Sequence, residues 1–343
     1  MLVVALAFAL WVLGWVLNTP KRLRWGAIAV LWAAVVLLNL LLPAGHPLRE
    51  ITGGDARVWL AVALGFGAVL GYRVLLKGLK NRVELAVPVV KPGVFSSGEV
   101  ERYARHILLR EIGGPGQRRL KDAKVLVVGA GGLGAPVLLY LAAAGVGEIG
   151  VIDDDTVDPS NLQRQIIHTD QRIGMDKVQS AEIAMRALNP YVVVKPYRRR
   201  LDQASGGLVA EFDLVLDGSD NFDTRYLVNR LCVAAGKPLV AAAITQWEGQ
   251  LSVYDPAKGS PCYECIFPVR PAPGMVPTCA EAGVAAPLPG VLGSMMAMEA
   301  VKLITGAGEP LRGRLLIHDA LYAETRVIGV KPRADCAVCG ISH

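Results

Sequence analysis

The string GAGGLG, Gly129 to Gly134, lies between the apolar run KVLVV and the helix-like run APVLLYLAAAG. A turn there aims the first backbone amides of a helix at its occupant, which suits a phosphate. Read alone, the string fits either a nucleotide site or a purely structural tight turn. Pro136 falls in the first helical turn, where its missing amide costs nothing. The next apolar run, EIGVID, ends in Asp153 at the spacing where such folds place a carboxylate on ribose hydroxyls. A solvated strand end is the plain alternative, and it is the preferred reading of Asp154. Asn161, Arg164 and Gln165 follow in a polar segment, and Lys177 opens DKVQSAEIAMRALN. Together they offer two cations and several amides to a triphosphate, Arg as a planar fork and Lys as a point charge. FDLVLDGSDN then brings Asp217 and Asp220 to the end of a buried strand, the side on which open parallel sheets bind ligands. A carboxylate beside phosphates suits magnesium. The plainer reading makes Asp220 the cap of the helix NFDTRYLVNRLCVAAG.

Cysteine spacing points to a second metal. Cys262 with Cys265, and Cys336 with Cys339, form two two-spaced pairs that suit a closed tetrahedral zinc site joining distant segments. Two disulfides in an oxidising compartment are the alternative. Cys232 falls on the apolar face of a helix and reads as core. His106, His168 and His318 share no spacing that suggests a metal or a triad, so each reads as structural.

These residues need a scaffold. Alternating strands and helices from Lys124 to Ile244 predict an α/β fold with a doubly wound, Rossmann-like, mostly parallel sheet. WEGQLSVYD, RLLIHDA and ETRVIGV extend it as antiparallel strands. Pro268 to Pro277 reads as an ordered crossing loop near the site, with a small-residue, Met-rich helix from Leu288 to Ile304 beneath it. Upstream, Ser96 and Glu99 have capping-box spacing before ERYARHILLREIG. The segment is long enough to bury one large core.

The first quarter of the chain differs. Residues 2–17, 25–42 and 58–76 are predicted transmembrane helices, apolar runs of roughly bilayer-spanning length with the first at the short limit. A mean hydropathy of +0.39 and a net charge of +6 fit membrane insertion better than nucleic-acid binding, so no nucleic acid is expected as a partner. Trp25 and Trp59 read as interfacial anchors or as ordinary residues of apolar helices. Lys21, Arg22 and Arg24 lie between the first two runs with no acid beside them, whereas Arg49 and Arg57 are balanced by Glu50 and Asp55. Lys77, Lys80 and Arg82 follow the third run. Basic loops favour the cytoplasm, which places the N-terminus outside and the following domain at the cytoplasmic face of the inner membrane. A signal peptide is the competing reading of the first run; no basic residue precedes the apolar stretch, and two more runs follow. The expected organisation is a membrane region over 1–76, a basic, proline-containing linker over 77–98 and the α/β domain over 99–343.

From about Glu101 to Gly340, ERYARHILL, GAGGLG, DDDTVDPSNLQRQ, GMDKV, DGSDN, CYEC, PTCAEAGVAAPLPGVLGSMMAMEAVK and CAVC occur in the order that makes the chain resemble a known family. It is similar to the MoeB/ThiF/HesA family of ATP-dependent adenylyltransferases, relatives of the ubiquitin-activating enzymes, and most similar to the MoeB branch. The membrane runs lie outside the resemblance. It implies that Gly129, Gly131, Gly132 and Gly134 cradle the phosphates and that Asp153 holds the ribose. Ser160, Asn161, Leu162, Gln163, Arg164 and Lys177 would surround the triphosphate, and Asp220 would hold magnesium with Asn221 beside it. A homodimer is implied, in which Arg105 reaches the neighbouring subunit's site. Cys279 falls on a segment over the site; some relatives bond it to the carrier and others dispense with it.

The implied reaction adenylates the C-terminal glycine of a ubiquitin-like sulfur carrier ending in Gly-Gly, MoaD-like and serving molybdopterin cofactor biosynthesis, and releases pyrophosphate. Sulfur would come from a persulfide on a separate donor protein, since no rhodanese-like domain follows Gly340. ThiS adenylation in thiamine biosynthesis is the nearest alternative. A nicotinamide-dependent oxidoreductase would use the same glycine turn, but Arg164, Lys177 and Asp220 suit a triphosphate better than a nicotinamide. A membrane-tethered binding protein would keep the fold without turnover, and against it no motif residue is missing.

Overall fold

The computed structural model describes residues 2–43, 45–84, 94–272, 275 and 279–340, in two compact units, Met1–Val89 and Val90–His343. In the first unit α1 (Leu2–Val16), α2 (Lys21–Leu41), the short α3 (Pro47–Ile51) and α4 (Ala56–Glu84) follow one another. Pro20 has no amide with which to extend α1 and stands instead as the N-cap of α2. Two residues before it, Asn18 turns the chain in the left-handed conformation. The first run is therefore a helix of 15 residues, short of the ~20 that span a bilayer. Lys21–Leu41 and Arg57–Leu76 are long and apolar enough to cross one. Helix α4 continues through Lys77 to Glu84, so the start of the expected linker is helical. Trp25 packs on Trp11 and Phe66, and Trp59 donates to Thr52 O at 2.9 Å, so both tryptophans have partners inside this unit.

The second unit opens on α5 (Ser97–Ile107), capped as its sequence predicts. Ser96 Oγ accepts from Glu99 N at 3.3 Å, and Glu99 Oε2 accepts from Ser96 N at 2.8 Å. After α6 (Gly113–Asp122) come β1 (Lys124–Val128), α7 (Gly134–Ala144), β2 (Glu148–Ile152), α8 (Lys177–Leu188) and β3 (Val193–Tyr197). The chain continues through α9 (Gly206–Ala210), β4 (Leu214–Asp217), α10 (Phe222–Ala235), β5 (Leu239–Ile244) and β6 (Glu248–Tyr254). Two short helices, α11 (Tyr263–Ile266) and α12 (Cys279–Ala282), precede the long α13 (Leu288–Thr305) and the hairpin of β7 (Arg314–Asp319) and β8 (Glu324–Gly329).

The eight strands among the described residues form one sheet in the order β3-β2-β1-β4-β5-β6-β7-β8. The pairs from β3 to β5 are parallel and those from β5 to β8 antiparallel, as expected from the sequence. Alternate residues of β1 serve opposite faces: Val125 and Val127 join the core under α7 and α13, Leu126 and Val128 the core under α10. Strands covered on both faces must be apolar almost throughout, which is why KVLVV does not alternate. Cys232 is buried in the α10 core. Leu288–Thr305 is apolar enough to be a membrane span by composition, yet Leu292, Met296 and Ala300, four residues apart, are fully buried against this domain's own sheet and helices.

After β3 the chain returns to pair β4 with β1, so the strand order reverses between β1 and β4. Val128 and Asp217 are partners at that point. A crevice outside the carboxyl ends of two such strands is where doubly wound sheets bind ligands.

Candidate functional site

The glycine turn leaves β1 at Gly129, whose φ of 91° favours a residue without a side chain. At Gly134 a Cβ would lie 1.9 Å from Gly129 O, so the helix start can close on the strand only with glycine there. Helix α7 begins without a side-chain cap, which leaves its first amides available to a ligand. Gly129, Gly131 and Gly132 line a cavity of 930 Å³; Gly134 instead makes the tight packing that shapes it.

Two side chains hold the turn from below. Asp153 Oδ2 accepts from Ala130 N at 2.7 Å, and its Oδ1 accepts from Asp155 N at 2.9 Å. Burial pushes the Asp153 carboxyl up, while Lys177 draws it back. His168 Nε2 lies 2.9 Å from Ala130 O and its Nδ1 2.8 Å from Ser180 Oγ. Burial brings His168 down to about 4, so the ring is neutral at neutral pH, its Nε2–H donating to the carbonyl and Nδ1 accepting from the serine. Its structural reading from sequence agrees with this arrangement.

Arg164 and Lys177 both line the cavity. Arg164 Nη2 donates to Asn161 Oδ1 at 2.8 Å, so Asn161 aims the guanidinium and does not itself face the cavity. Ser160, Leu162 and Gln163 are also absent from its lining, and the Ser160 hydroxyl and amide both go to Asp158 Oδ1. Lys177 is 4% exposed, with Nζ 2.7 Å from Asp155 Oδ2. A buried ammonium needs such a partner, and Asp155, unremarked in the sequence reading, supplies it. Arg105 is exposed on α5 and does not line this cavity. The side chain of Cys279 and part of the proline-rich crossing segment lie outside the described residues.

At the end of β4 the structure separates two roles. Asn221, not Asp220, caps α10: its Oδ1 accepts from Thr224 N at 2.9 Å. Asp220 is left exposed in the cavity lining with no hydrogen bond or ion pair among the described residues. A carboxylate free of structural duty, beside two cations and a helix start, fits a magnesium ligand in a triphosphate site, since that ion is held by one or two carboxylates plus phosphates. Sequence reasoning also missed Arg199, Arg200 and Arg225 in the lining. The run RRR at 198–200 signalled the first two; Arg225 sits inside a helix whose length gave no hint of it.

Away from the cavity, Cys262 Sγ lies 3.8 Å from Cys265 Sγ and 3.6 Å from Cys336 Sγ, and Cys265 Sγ lies 3.3 Å from Cys339 Sγ. All four sulfurs fall within 4.8 Å of one another. A tetrahedron of thiolates around zinc, with bonds of ~2.3 Å, has edges of ~3.8 Å, so the donor set fits that ion. The four thiols are unbonded to each other, which sets the two-disulfide alternative aside. The Arg333 amide points at Cys265 Sγ, 3.5 Å away, the kind of donor that supports a metal-ligating sulfur.

The sequence model of the ThiF family matches residues 103–338. This chain belongs to the ThiF family. Over 247 residues it is 50% identical to the sulfur carrier protein adenylyltransferase of Thermus thermophilus, covering 71% of this chain and 91% of that protein. The SAMP-activating enzyme E1 of Haloferax volcanii is 49% identical over 243 residues, covering 71% and 89%. Among solved structures, E. coli MccB with MccA-N7isoASN superposes with a TM-score of 0.63 at 25% identity, covering 73% of this chain and 77% of that one. The ThiF-family match contains the glycine turn, Arg164, Lys177, Asp220 and three of the four zinc-suited cysteines, and Cys339 follows one residue after its end.

Proposed function

We propose that this chain uses ATP to adenylate the C-terminal glycine of a ubiquitin-like sulfur carrier. The observation that carries the reading is one cavity that unites an uncapped helix start, Arg164, Lys177 and an unengaged Asp220. The relatives named as sulfur carrier and SAMP activators give the substrate class. A carrier carboxylate oxygen bonds to the α-phosphorus, the bond from that phosphorus to the bridging oxygen breaks, and pyrophosphate leaves with the electron pair. Lys177 and Arg164 offset charge on the phosphates, and the amides of the glycine turn bind oxygens without having to reorganise. Asp153 keeps acceptor capacity for ribose hydroxyls while bracing the turn. Asp220 would hold magnesium, which would supply charge neutralisation for the departing pyrophosphate. A MoaD-like carrier and molybdopterin cofactor biosynthesis is the branch favoured by the sequence motifs, with ThiS as the alternative, and sulfur arrives from a separate donor.

Given magnesium, ATP and a carrier ending in Gly-Gly, the chain is expected to exchange labelled pyrophosphate into ATP, because acyl-adenylate formation is reversible. Exchange without any carrier, or nicotinamide-linked oxidation in its place, would remove this reading.

The same reading includes zinc at the four cysteines, a homodimer completed by Arg105, and a membrane anchor. Lys21–Leu41 and Arg57–Leu76 support the anchor by length and composition. With the basic loops inside, a reporter fused after His343 should be active only in the cytoplasm, and protease added outside should spare the α/β domain. Digestion of that domain from the outer face would reverse the assignment.

A further inference from the structure

Asp220 has no partner among the described residues, yet a metal ligand must be aimed. Its backbone neighbours show how. On one side, both backbone polar groups of Ser219 are gripped: the Ser219 amide donates to Asp217 Oδ1 at 2.9 Å, and the Ser219 carbonyl accepts from Arg225 Nη2 at 2.6 Å. On the other side, Asn221 is fixed as the cap of α10. Arg225 Nη1 donates to Ala242 O at 2.7 Å, which ties the loop to β5. Asp217 and Arg225 are 1% and 6% exposed. Burying a carboxylate and a guanidinium is costly. Burial pushes the Asp217 carboxyl up, and the Arg225 charge is the leading influence that opposes it. Asp217 Oδ2 and Ser219 Oγ are buried without a hydrogen-bond partner among the described residues.

We propose that Asp217 and Arg225 are positioning residues for the metal at Asp220: by clamping the amide and carbonyl of Ser219 they fix the direction in which Asp220 is presented to the nucleotide's magnesium. This rests on the adenylation reading and adds to it the source of the site's metal affinity. Groups that orient a metal ligand from behind typically account for about 10- to 100-fold in metal affinity.

Calorimetric titration of the full chain in detergent with ATP, with and without magnesium, separates the possibilities. In the wild type magnesium should strengthen ATP binding. In Arg225→Gln and Asp217→Ala that magnesium-dependent gain should fall by about 10- to 100-fold, while magnesium-free ATP binding in Asp217→Ala, whose buried side chain does not line the cavity, stays within about twofold. Asp217→Asn keeps an oxygen for the Ser219 amide and should retain the gain, which distinguishes positioning from a simple loss of folding. If the wild type shows no magnesium gain, the assignment of the metal to Asp220 fails. If the wild type shows it and Arg225→Gln and Asp217→Ala retain it, the brace fails. Loss of magnesium-free ATP binding in a folded Arg225→Gln would make Arg225 a direct phosphate ligand and overturn its positioning role.

Discussion

Asp220→Ala should lower carrier-dependent exchange of pyrophosphate into ATP by about 10²- to 10³-fold, the loss seen when one well-aimed electrostatic contact to a developing charge is removed. The fold should be unaffected, because Asn221 and not Asp220 caps α10. Carrier binding should also persist, since Asp220 is assigned to the metal and not to the carrier tail. Arg105→Ala should be inactive for a different reason, its guanidinium being owed to the other subunit. In an equal, fully exchanged mixture of the two variants half the dimers are hybrids, and one of the two sites in each hybrid is intact. Recovery of about a quarter of the wild-type rate is then expected from the symmetry of a two-fold dimer. Undiminished exchange by Asp220→Ala would contradict its role, and no recovery despite demonstrated subunit exchange would return Arg105 to its own chain.

Cys336→Ser should destabilise the α/β domain by about 4 kcal/mol or more, the range reached when a structural metal is lost. At roughly 2–4 °C per kcal/mol for a domain of this size, the thermal midpoint should fall by about 10 °C. The four sulfurs converge from α11 with its N-cap and from the segment after β8, so metal binding and folding would be one process there. Elemental analysis should find one zinc per chain in the wild type and none in the variant. A folded wild-type chain without zinc, or a variant with an unchanged midpoint, would exclude the structural metal.

Much of this architecture was legible because its signals are local. Ser96 and Glu99 announce their capping box within one turn, KVLVV and FDLVLD announce strands covered on both faces, and the cysteine pairs carry their own spacing. What escaped the sequence depends on contacts between distant segments. Asp155 meets Lys177 across 22 positions, and Arg225 reaches back to Ser219 and forward to β5. Which of Asp220 and Asn221 caps α10 is a local but degenerate choice, since adjacent Asp and Asn are nearly equal as caps, and the structure gives the cap to Asn221. At the other end of the chain, the first apolar run, expected over 2–17, is the helix Leu2–Val16, followed by the left-handed Asn18 and by Pro20.

Strand β8 closes the sheet as an edge strand with every residue exposed, the kind of element that ordinarily frays first. Its upstream end is held by the hairpin to β7, and a few residues downstream Cys336 and Cys339 converge on Cys262 and Cys265. With zinc in place the strand is pinned at both ends, and unravelling from the C-terminal side has to begin with release of the metal. Hydrogen exchange at the β8 amides then becomes a gauge of metal occupancy, slow when the ion is bound and fast once a chelator has removed it.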